Sequence, residues 1–419
     1  MKKRRFAENA WKKLVGPWKQ EAEPGFREPV LGNPEADRAA VGPLRVLPEP
    51  TAEVIRISLG PPSRTREWAE QLAEAAAQFS FLGEITALDL LALVRAELGS
   101  SEVLDDFQPY GDHFAKAVGP ATILHVISGN TPAAGFQSLI RGLLLGSHNL
   151  CKIPSNGLME IQEFRRLLPE ELAARVEIKR ELPSEWLEQA DAVIVFGNDN
   201  TIAQFRSRMR PGQIFVGHGH RLSFGVIFDD PDLSSAVGAA RDASIFDQQG
   251  CLSPHVFFVA EEPLAYAAKL AAEMERAHVR EPRGALSISD ANAIRQERAN
   301  LAFRLANDEP VAVFESVNST AWTVAFDATP GFPRSPLNRF IFVKPFPKDF
   351  AETLTHVRPH LSCAGVWPPT LENARKLADL GVSRICPVGR MQFPPATWHQ
   401  DGQQVLAPLV HWIDCETGS

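Results

Sequence analysis

The chain has 419 residues, a length that suits two or three domains with a sizeable buried core. Apolar residues make up 44% of it and charged residues 22%, and the formal net charge of -8 excludes the broad basic surface of many nucleic-acid-binding proteins. The N-terminus lacks the apolar stretch of a secretory signal, and no run reaches the roughly 18 apolar residues of a membrane span, so the sequence predicts a cytoplasmic protein.

The N-terminal part differs in composition from the rest. Residues 17–62 contain nine prolines and few long apolar runs, so residues 1–62 are predicted to form a proline-rich arm rather than a domain. Two amphipathic helices follow, and Thr65 and Thr86 are predicted as their N-caps.

A regular alternation of strands and helices comes next. Buried strands are predicted at "ATILHVI", "NLCKIP", "VEIKREL" and "DAVIVFG", with helices at "AGFQSLIRGLLLG", "GLMEIQEFRRLL" and "NTIAQFRSRM". Such alternation is typical of a parallel sheet with helices on both faces, and we assign residues 63–215 to a first α/β domain. The second half repeats this style less regularly. It predicts a second α/β domain over 216–390 and a C-terminal segment over 391–419.

The cysteines and histidines predict neither a disulfide framework nor a metal site. The five cysteines are odd in number, widely spaced and without a CxxC motif. His218 and His220, in "GHGH", lie two residues apart and would point to opposite faces of a strand, so they would not share a metal ion.

Three stretches of the first domain place polar residues where strands end. Asn130, in "HVISGNTPAAGF", could stabilise an oxyanion with its amide or simply cap a turn. Gly197 and Asn198, in "FGNDNTI", suit a phosphate at a helix N-terminus, although the usual GxGxxG fingerprint is absent. Lys152 ends another strand on the same side, either as a phosphate ligand or as a solvated lysine.

A single cysteine stands out in the second domain. Cys251, in "FDQQGCLSPHVFFV", lies at a polar turn hinged by a glycine, just before an apolar strand. Free backbone N–H groups at such a turn can stabilise a thiolate, whereas a structural thiol usually lies inside an apolar run. The position by itself leaves both an inert and a nucleophilic thiol open.

Taken in order with the C-terminal stretch "LGVSRICPVGRMQFPPATWHQDGQQVLAPLVHWID", these motifs resemble the LuxC-type acyl-CoA reductases, a branch of the aldehyde dehydrogenase superfamily. The resemblance covers roughly residues 105–415 and rests on five ordered motifs. It implies an aldehyde dehydrogenase-like α/β fold with a cofactor-binding domain and a catalytic cysteine domain. By analogy it also implies a homo-oligomer.

The resemblance implies roles for the motif residues. Cys251 matches the nucleophile that forms a thioester with the acyl group, and Asn130 matches the asparagine that holds the oxyanion together with the cysteine N–H. Gly197 and Asn198 match the turn beside the cofactor pyrophosphate, and Lys152 matches the lysine that reaches the adenosine ribose.

Two positions depart from the oxidising aldehyde dehydrogenases. His218 stands where they have the glutamate that activates water, so the acyl-enzyme is expected to resist hydrolysis. His218 then either protonates a leaving group or only hydrogen-bonds in its turn. Ser155 stands where a glutamate would repel a ribose 2'-phosphate, so NADPH is the predicted cofactor.

The resemblance therefore implies an NADPH-dependent reductase that converts an acyl thioester to an aldehyde through a Cys251 acyl-enzyme. The acyl donor would be acyl-CoA, an acyl carrier protein or a partner acyl-protein synthetase. Two alternatives remain open from the residues. One is an acyl-phosphate reductase similar to the γ-glutamyl phosphate enzymes, and the other is a catalytically silent scaffold for an acyl-transfer partner.

Overall fold

The computed structural model describes residues 62–83, 85–129, 132–155 and 157–417. The predicted proline-rich arm lies outside the described residues except for Pro62, and so does Asn130. No single helix of the described ranges is long and apolar enough to cross a membrane. Within these ranges, only the two segments Arg64–Ala76 and Ser80–Leu98 taken together have the length and apolar composition of a membrane span, and they are bent by 119° relative to each other.

Two helices open the described part of the chain, α1 (Arg64–Ala76) and α2 (Ala87–Leu98). The hydroxyl of Ser63 accepts a hydrogen bond from the N–H of Arg66 and caps α1, so the prediction of Thr65 as the N-cap is wrong. Thr65 is buried inside the first turn, and the capping geometry belongs to the extended residue before the helix. The prediction for Thr86 is confirmed, because Thr86 and Asp89 form a reciprocal capping box.

A five-stranded parallel sheet follows a short antiparallel pair. The pair comprises β1 (Gln108–Tyr110) and β2 (His113–Val118). The elements of the larger sheet are β3 (Thr122–Val126), α3 (Pro132–Leu144), β4 (His148–Lys152), α4 (Met159–Leu167), α5 (Glu170–Ala173), β5 (Val176–Lys179), α6 (Ser184–Gln189), β6 (Ala192–Phe196), α7 (Asp199–Arg206) and β7 (Ile214–His218). The strand order is β5-β4-β3-β6-β7, so the direction of winding reverses between β3 and β6. Ligands of open α/β sheets bind at the carboxyl ends of the strands beside such a switch point.

The change from the first to the second sheet falls slightly later than predicted. Strand β7 pairs with β6 over Ile214–His218, so a boundary between residues 215 and 216 would cut through it. The chain leaves this sheet between His218 and Leu222. The two strands form one apolar run interrupted only by "GHGHR", which is why the sequence pattern set the boundary too early. The division into domains stays a prediction.

The second sheet has seven strands. Its elements are β8 (Leu222–Ile227), α8 (Ser235–Ser244), β9 (Pro254–Val259), α9 (Pro263–Arg280), α10 (Ile288–Ala306), β10 (Val311–Glu315), β11 (Thr323–Asp327), β12 (Phe340–Pro345), α11 (Phe350–Leu354), β13 (Leu361–Trp367), α12 (Leu371–Leu377) and β14 (Arg384–Pro387). The strand order is β10-β11-β12-β9-β8-β13-β14, and the β10–β11 pair alone in this sheet is antiparallel. Both faces carry apolar layers. Phe257 and Phe258, adjacent on β9, belong to different core clusters, and full burial of such a side chain contributes about 1.5–3 kcal/mol.

The C-terminal segment joins the parts of the fold. After β14 it makes buried hydrogen bonds to α8 and α3, through Asp242 to the N–H groups of Gly389 and Met391 and through Arg141 to Gln400. It ends in β15 (His411–Cys415), which pairs with β2 to complete a three-stranded sheet. Residues distant in sequence from both sheets are thereby brought next to them.

Candidate active site

The turn before Cys251 has an unusual backbone. Phe246, Asp247 and Gln248 follow α8 with φ of 53°, 50° and 63°. Three successive non-glycine residues in this left-handed region are costly, about 1–2 kcal/mol each, and such strain clusters at functional sites. The turn delivers Cys251 to the amino end of β9.

Side-chain hydrogen bonds hold this turn in place. Gln248 is fully buried, and its amide donates to the carbonyls of Pro254 and Phe340 and accepts from the N–H of Phe340, at 2.8–2.9 Å. Asp247 forms an ion pair with the buried Arg339 at 2.8 Å. The strained turn is therefore braced against the start of β12, which lies next to β9.

Cys251 is open to solvent, yet its thiol is not poised as a thiolate. The protein atoms around it desolvate the charged form and, with the carboxylate of Asp401, raise the pKa of the thiol to about 12. The N–H groups of Cys251 and Leu252 and the guanidinium of Arg221 act in the opposite direction. A nucleophilic role for Cys251 therefore requires a neighbouring base to take its proton.

His218 ends β7 and is held on two sides. Its Nδ1 lies 2.7 Å from Oδ2 of Asp401, and its ring stacks on Phe196 with centroids 4.7 Å apart. The side chain is 14% exposed, so most of it is buried but part of it remains accessible to solvent. Because a carboxylate only accepts, Nδ1 is the protonated nitrogen and Nε2 is left as the basic one.

Arg221 completes a charged cluster with His218 and Asp401. Its Nε lies 2.9 Å from Oδ1 of Asp401. Burial raises the pKa of Asp401, but His218 and Arg221 outweigh that effect and keep the pKa below its ordinary value. Both Asp401 and Arg221 are close enough to Cys251 to shift the pKa of its thiol. Sequence reasoning missed these two residues.

The predicted pyrophosphate turn lies at the switch point of the first sheet. Asn198 caps α7, with its Oδ1 accepting from the N–H of Thr201 at 2.9 Å, so its side chain is engaged in the cap. A Cβ on Gly197 would lie 3.0 Å from Cβ of Thr201, so the close turn needs glycine here. A glycine turn leading into a helix N-terminus at the switch point fits a dinucleotide phosphate.

The predicted ribose contacts lie at the end of β4. Lys152 is in register with Lys179 of β5, and its ammonium has no partner among the described residues. Arg180 donates to the carbonyls of Pro154 and Ser155, and so braces the loop that carries Ser155. Of the neighbouring cations, Arg180 contacts this loop directly, whereas Lys179 pairs with Glu177 at 2.8 Å and lies over the ring of Trp186.

Two cavities adjoin each other through Arg141. The first, about 40 Å³, has a mainly apolar lining that includes Leu82, Ile85, Leu90, Leu93, Ile140, Pro394, Pro395 and Trp398. The second, about 30 Å³, is lined by Ser138, Phe196, His218 and Gln400 among others. Arg141 lines both. An apolar space therefore lies beside the cavity that contains His218.

The structure thus brings together some of the residues predicted from sequence. Cys251 and His218 share a site through Asp401, whereas Lys152, Ser155, Gly197 and Asn198 lie at strand ends of the first sheet. A "DG" dipeptide at Asp401 is a signal for a tight turn, but nothing in the local pattern indicates what that turn faces.

Sequence comparison finds similar proteins among reductases of acyl groups. Residues 69–412 match the sequence model of the family described as acyl-CoA reductase (LuxC). The chain is 24% identical over 347 residues to the long-chain acyl-protein thioester reductase of Aliivibrio fischeri, covering 78% of this chain and 70% of that one. It is 23% identical over 369 residues to the reductase of the same name from Vibrio harveyi, covering 83% and 75%.

Solved structures with the same fold are aldehyde dehydrogenases and related oxidoreductases. An oxidoreductase from Marinobacter aquaeolei matches with a TM-score of 0.61 at 13% identity, covering 84% of this chain and 85% of that one. Aldehyde dehydrogenase 21 from Physcomitrella patens, in complex with succinate, matches with a TM-score of 0.59 at 13% identity, with the same coverage of 84% and 85%. The predicted aldehyde dehydrogenase-like fold is confirmed.

Proposed function

The chain belongs to the LuxC acyl-CoA reductase family, and from this premise we propose that it reduces a long-chain acyl thioester to an aldehyde with NADPH, through a thioester on Cys251. The family and the fold establish an enzyme that acts on acyl groups, with a nicotinamide cofactor. The acyl chain, the choice of NADPH and the residue roles are the proposal.

One observation carries it: a solvent-open cysteine lies within electrostatic reach of Asp401, whose carboxylate is 2.7 Å from Nδ1 of His218. The resemblance places His218 where oxidising aldehyde dehydrogenases have a glutamate. The Nε2 of His218 accepts the proton of the Cys251 thiol. The Sγ then attacks the thioester carbonyl, the C–S bond to the donor thiol breaks, and that thiolate takes the proton back from His218. Asn130 and the Cys251 N–H are proposed to hold the developing oxyanion.

The second half of the reaction returns Cys251 to its starting state. A bound nicotinamide cofactor supplies the hydride that brings the acyl carbon to the aldehyde level. Gly197 and Asn198 would hold its pyrophosphate, and Lys152 and Ser155 its adenosine ribose. Cys251 leaves as a thiolate as the carbonyl re-forms, and a proton from solvent, relayed by His218, restores its thiol. Without a carboxylate base, water competes poorly for the acyl-enzyme.

The apolar cavity favours a fatty acyl group over a small polar one. Its lining of leucines, isoleucines, prolines and Trp398 suits a short hydrocarbon segment, each buried CH₂ contributing about 0.8 kcal/mol. The length of the chain is proposed from the relatives named long-chain acyl-protein thioester reductases. An acyl phosphate of an amino acid would leave its polar groups unpaired there. We therefore propose the fatty acyl thioester ahead of the acyl phosphate.

The test separates acylation from reduction. Purified protein is mixed with palmitoyl-CoA without cofactor and analysed by intact mass and peptide mapping, and aldehyde formation is then measured after NADPH is added. We expect one acyl adduct on Cys251, aldehyde only with NADPH, and little free acid.

The Cys251→Ala variant should lose both adduct and aldehyde, whereas Cys415→Ala, at a partly exposed cysteine in β15, should lose neither. Comparable reduction by the Cys251→Ala variant would refute the covalent route. Rapid acid formation would show that some other base activates water.

A further inference from the structure

Asp401 lies in a tight two-residue turn whose backbone conformation is fixed by a hydrogen bond. Gln400 and Gln403 form an antiparallel bridge, with the N–H of Gln403 donating to the carbonyl of Gln400 at 3.1 Å. Asp401 and Gly402 between them have φ of 55° and 79°, the geometry of a type I′ turn. Asp followed by Gly is one of the preferred pairs at the centre of a type I′ turn, so this sequence suits the backbone it adopts.

Both flanks of this turn are anchored to helices. Arg141 of α3 donates to Oε1 of the buried Gln400 at 2.7 Å. On the other side the carboxylate of Glu97, in α2, accepts from the backbone N–H groups of Val405, Leu406 and Ala407 at 2.6–3.0 Å. Asp401 is therefore held by two independent supports, and its side chain is only 6% exposed.

Asp401 contacts both of the positively charged or chargeable side chains next to it, His218 and Arg221. Asp401 contacts both Nδ1 of His218 and the guanidinium of Arg221, at 2.7 and 2.9 Å. Arg141 lines the same cavity as His218, and Cys251 is close enough to Asp401 for the carboxylate to raise the pKa of its thiol. One buried carboxylate thus faces one permanent cation and one ring that can become a cation.

We propose that Asp401 is a positioning residue: it holds His218 in the tautomer whose Nε2 is free, and so makes His218 the proton acceptor for Cys251. This inference rests on the proposed function. Arg221 keeps Asp401 ionised, and the carboxylate stabilises the imidazolium that forms when the thiol proton moves to Nε2. With an amide in place of the carboxylate, Nδ1 can lose its acceptor and the wrong nitrogen can carry the proton.

The experiment is a double-mutant cycle on the acylation step, which needs no cofactor. The rate of acyl transfer from palmitoyl-CoA to Cys251 is measured by rapid quench and mass spectrometry for the Asp401→Asn, His218→Ala and double variants. We expect Asp401→Asn to slow acylation about 100-fold, in the range of a general base. In the His218→Ala background the same change should alter the rate less than about threefold, because Asp401 acts through His218.

The pH profile gives a second readout. Loss of the carboxylate destabilises the imidazolium, so the lower limb of the acylation profile should move to lower pH in Asp401→Asn, and Asp401→Glu should restore part of the rate. The matched control is Asp327→Asn, at the carboxyl end of β11 and equally buried, where Arg304 and Lys344 bind the carboxylate. It should lower thermal stability and leave the pH profile unchanged.

The outcomes separate the two proposals. If Cys251→Ala is still acylated at the wild-type rate, the proposed function fails. Two results would show that Asp401 is not a positioning residue although Cys251 is acylated. One is an Asp401→Asn variant that is acylated at the wild-type rate. The other is a loss of acylation rate from Asp401→Asn that is as large in the His218→Ala background as in the wild-type background. If Asp401→Asn does not fold, Asp401→Glu provides the test instead. Its loss of acylation rate must disappear in the His218→Ala background.

Discussion

Cys251 is held mainly as the neutral thiol in the free protein, because the surrounding protein atoms and the carboxylate of Asp401 raise the pKa of the thiol above its ordinary value. Low-pKa cysteines react with any electrophile, whereas this one would react once a base takes its proton. In the proposed reaction His218 supplies that base. The arrangement protects the thiol from unwanted alkylation and ties its reactivity to the His218–Asp401 pair.

The proposed choice of NADPH also depends on single side chains. Lys152 has no partner among the described residues, and Ser155 offers a hydroxyl where a carboxylate would repel a phosphate. Lys152→Ala should weaken NADPH binding about ten- to a hundredfold, because a charge-assisted hydrogen bond contributes about 1.5–3 kcal/mol, and should change NADH binding little. Fluorescence titration with both cofactors measures this.

Lys348→Ala, at an exposed lysine, is the control and should change neither affinity. If the unmodified protein binds NADH as tightly as NADPH, Lys152 is an ordinary strand-end lysine and the cofactor proposal is wrong.

At the scale of elements, the turn between α8 and β9 stores strain that its neighbours must offset. Three left-handed residues in succession would relax in a free peptide, and in the protein Gln248 and Asp247 tie them to β12 and Arg339. Strain of this kind persists only where the surroundings over-determine the backbone. The position of Cys251 therefore depends on side chains that do no chemistry.

The two adjacent glutamines provide a matched test. Gln248→Ala removes three buried hydrogen bonds, although the N–H and carbonyl of Phe340 keep Leu337 and Ser335 as partners. It should lower the free energy of unfolding by roughly 2 kcal/mol and should also slow acylation of Cys251. Gln249→Ala removes one bond, to Asn338 at 2.7 Å, and should cost about 1 kcal/mol. Urea unfolding and acylation rates give both quantities, and equal effects of the two substitutions would show that the turn is not braced as described.

At the scale of the whole molecule, buried titratable groups make stability depend on pH. Burial lowers the pKa of His125 and of His255 to about 4, and raises that of Asp242 to about 7. Each histidine stabilises the fold above its ordinary pKa of 6.5, and that stabilisation is lost as pH falls from 6.5 to 4. Asp242 works in the opposite direction, since its protonated form is favoured and stability falls as pH rises from about 4 to 7.

The two histidines should outweigh the single carboxyl, because the shifts are of similar size and each is worth on the order of 3 kcal/mol. The free energy of unfolding should therefore rise by a few kcal/mol between pH 4.5 and 6.5, as measured by urea titration. His125→Gln should flatten the rise, and His356→Gln, at an exposed histidine, should not. Greater stability of the unmodified protein at pH 4.5 would contradict this balance.

The amino-acid sequence by itself determined much of this protein. The alternation of strands and helices and the Thr86 cap follow from local periods and turn chemistry, and the alternation sufficed to predict the α/β fold. The family was predicted from the resemblance of five ordered motifs, including the one around Cys251, to known reductases. Local signals failed where two readings of one stretch were equally good. Thr65 and Ser63 both suit a cap, and one apolar run across "GHGH" serves two strands in different sheets.

The tertiary structure alone decided how the proposed site is completed. His218 and Asp401 are 183 positions apart in the chain, and their contact depends on how the C-terminal segment crosses α2 and α3. No local pattern reports such a contact, because a side chain's partner across the fold is set by packing of elements rather than by the residue's own neighbours. The sequence could therefore show a cysteine and a histidine with open roles, while folding supplied the carboxylate that orients one and shifts the pKa of the other.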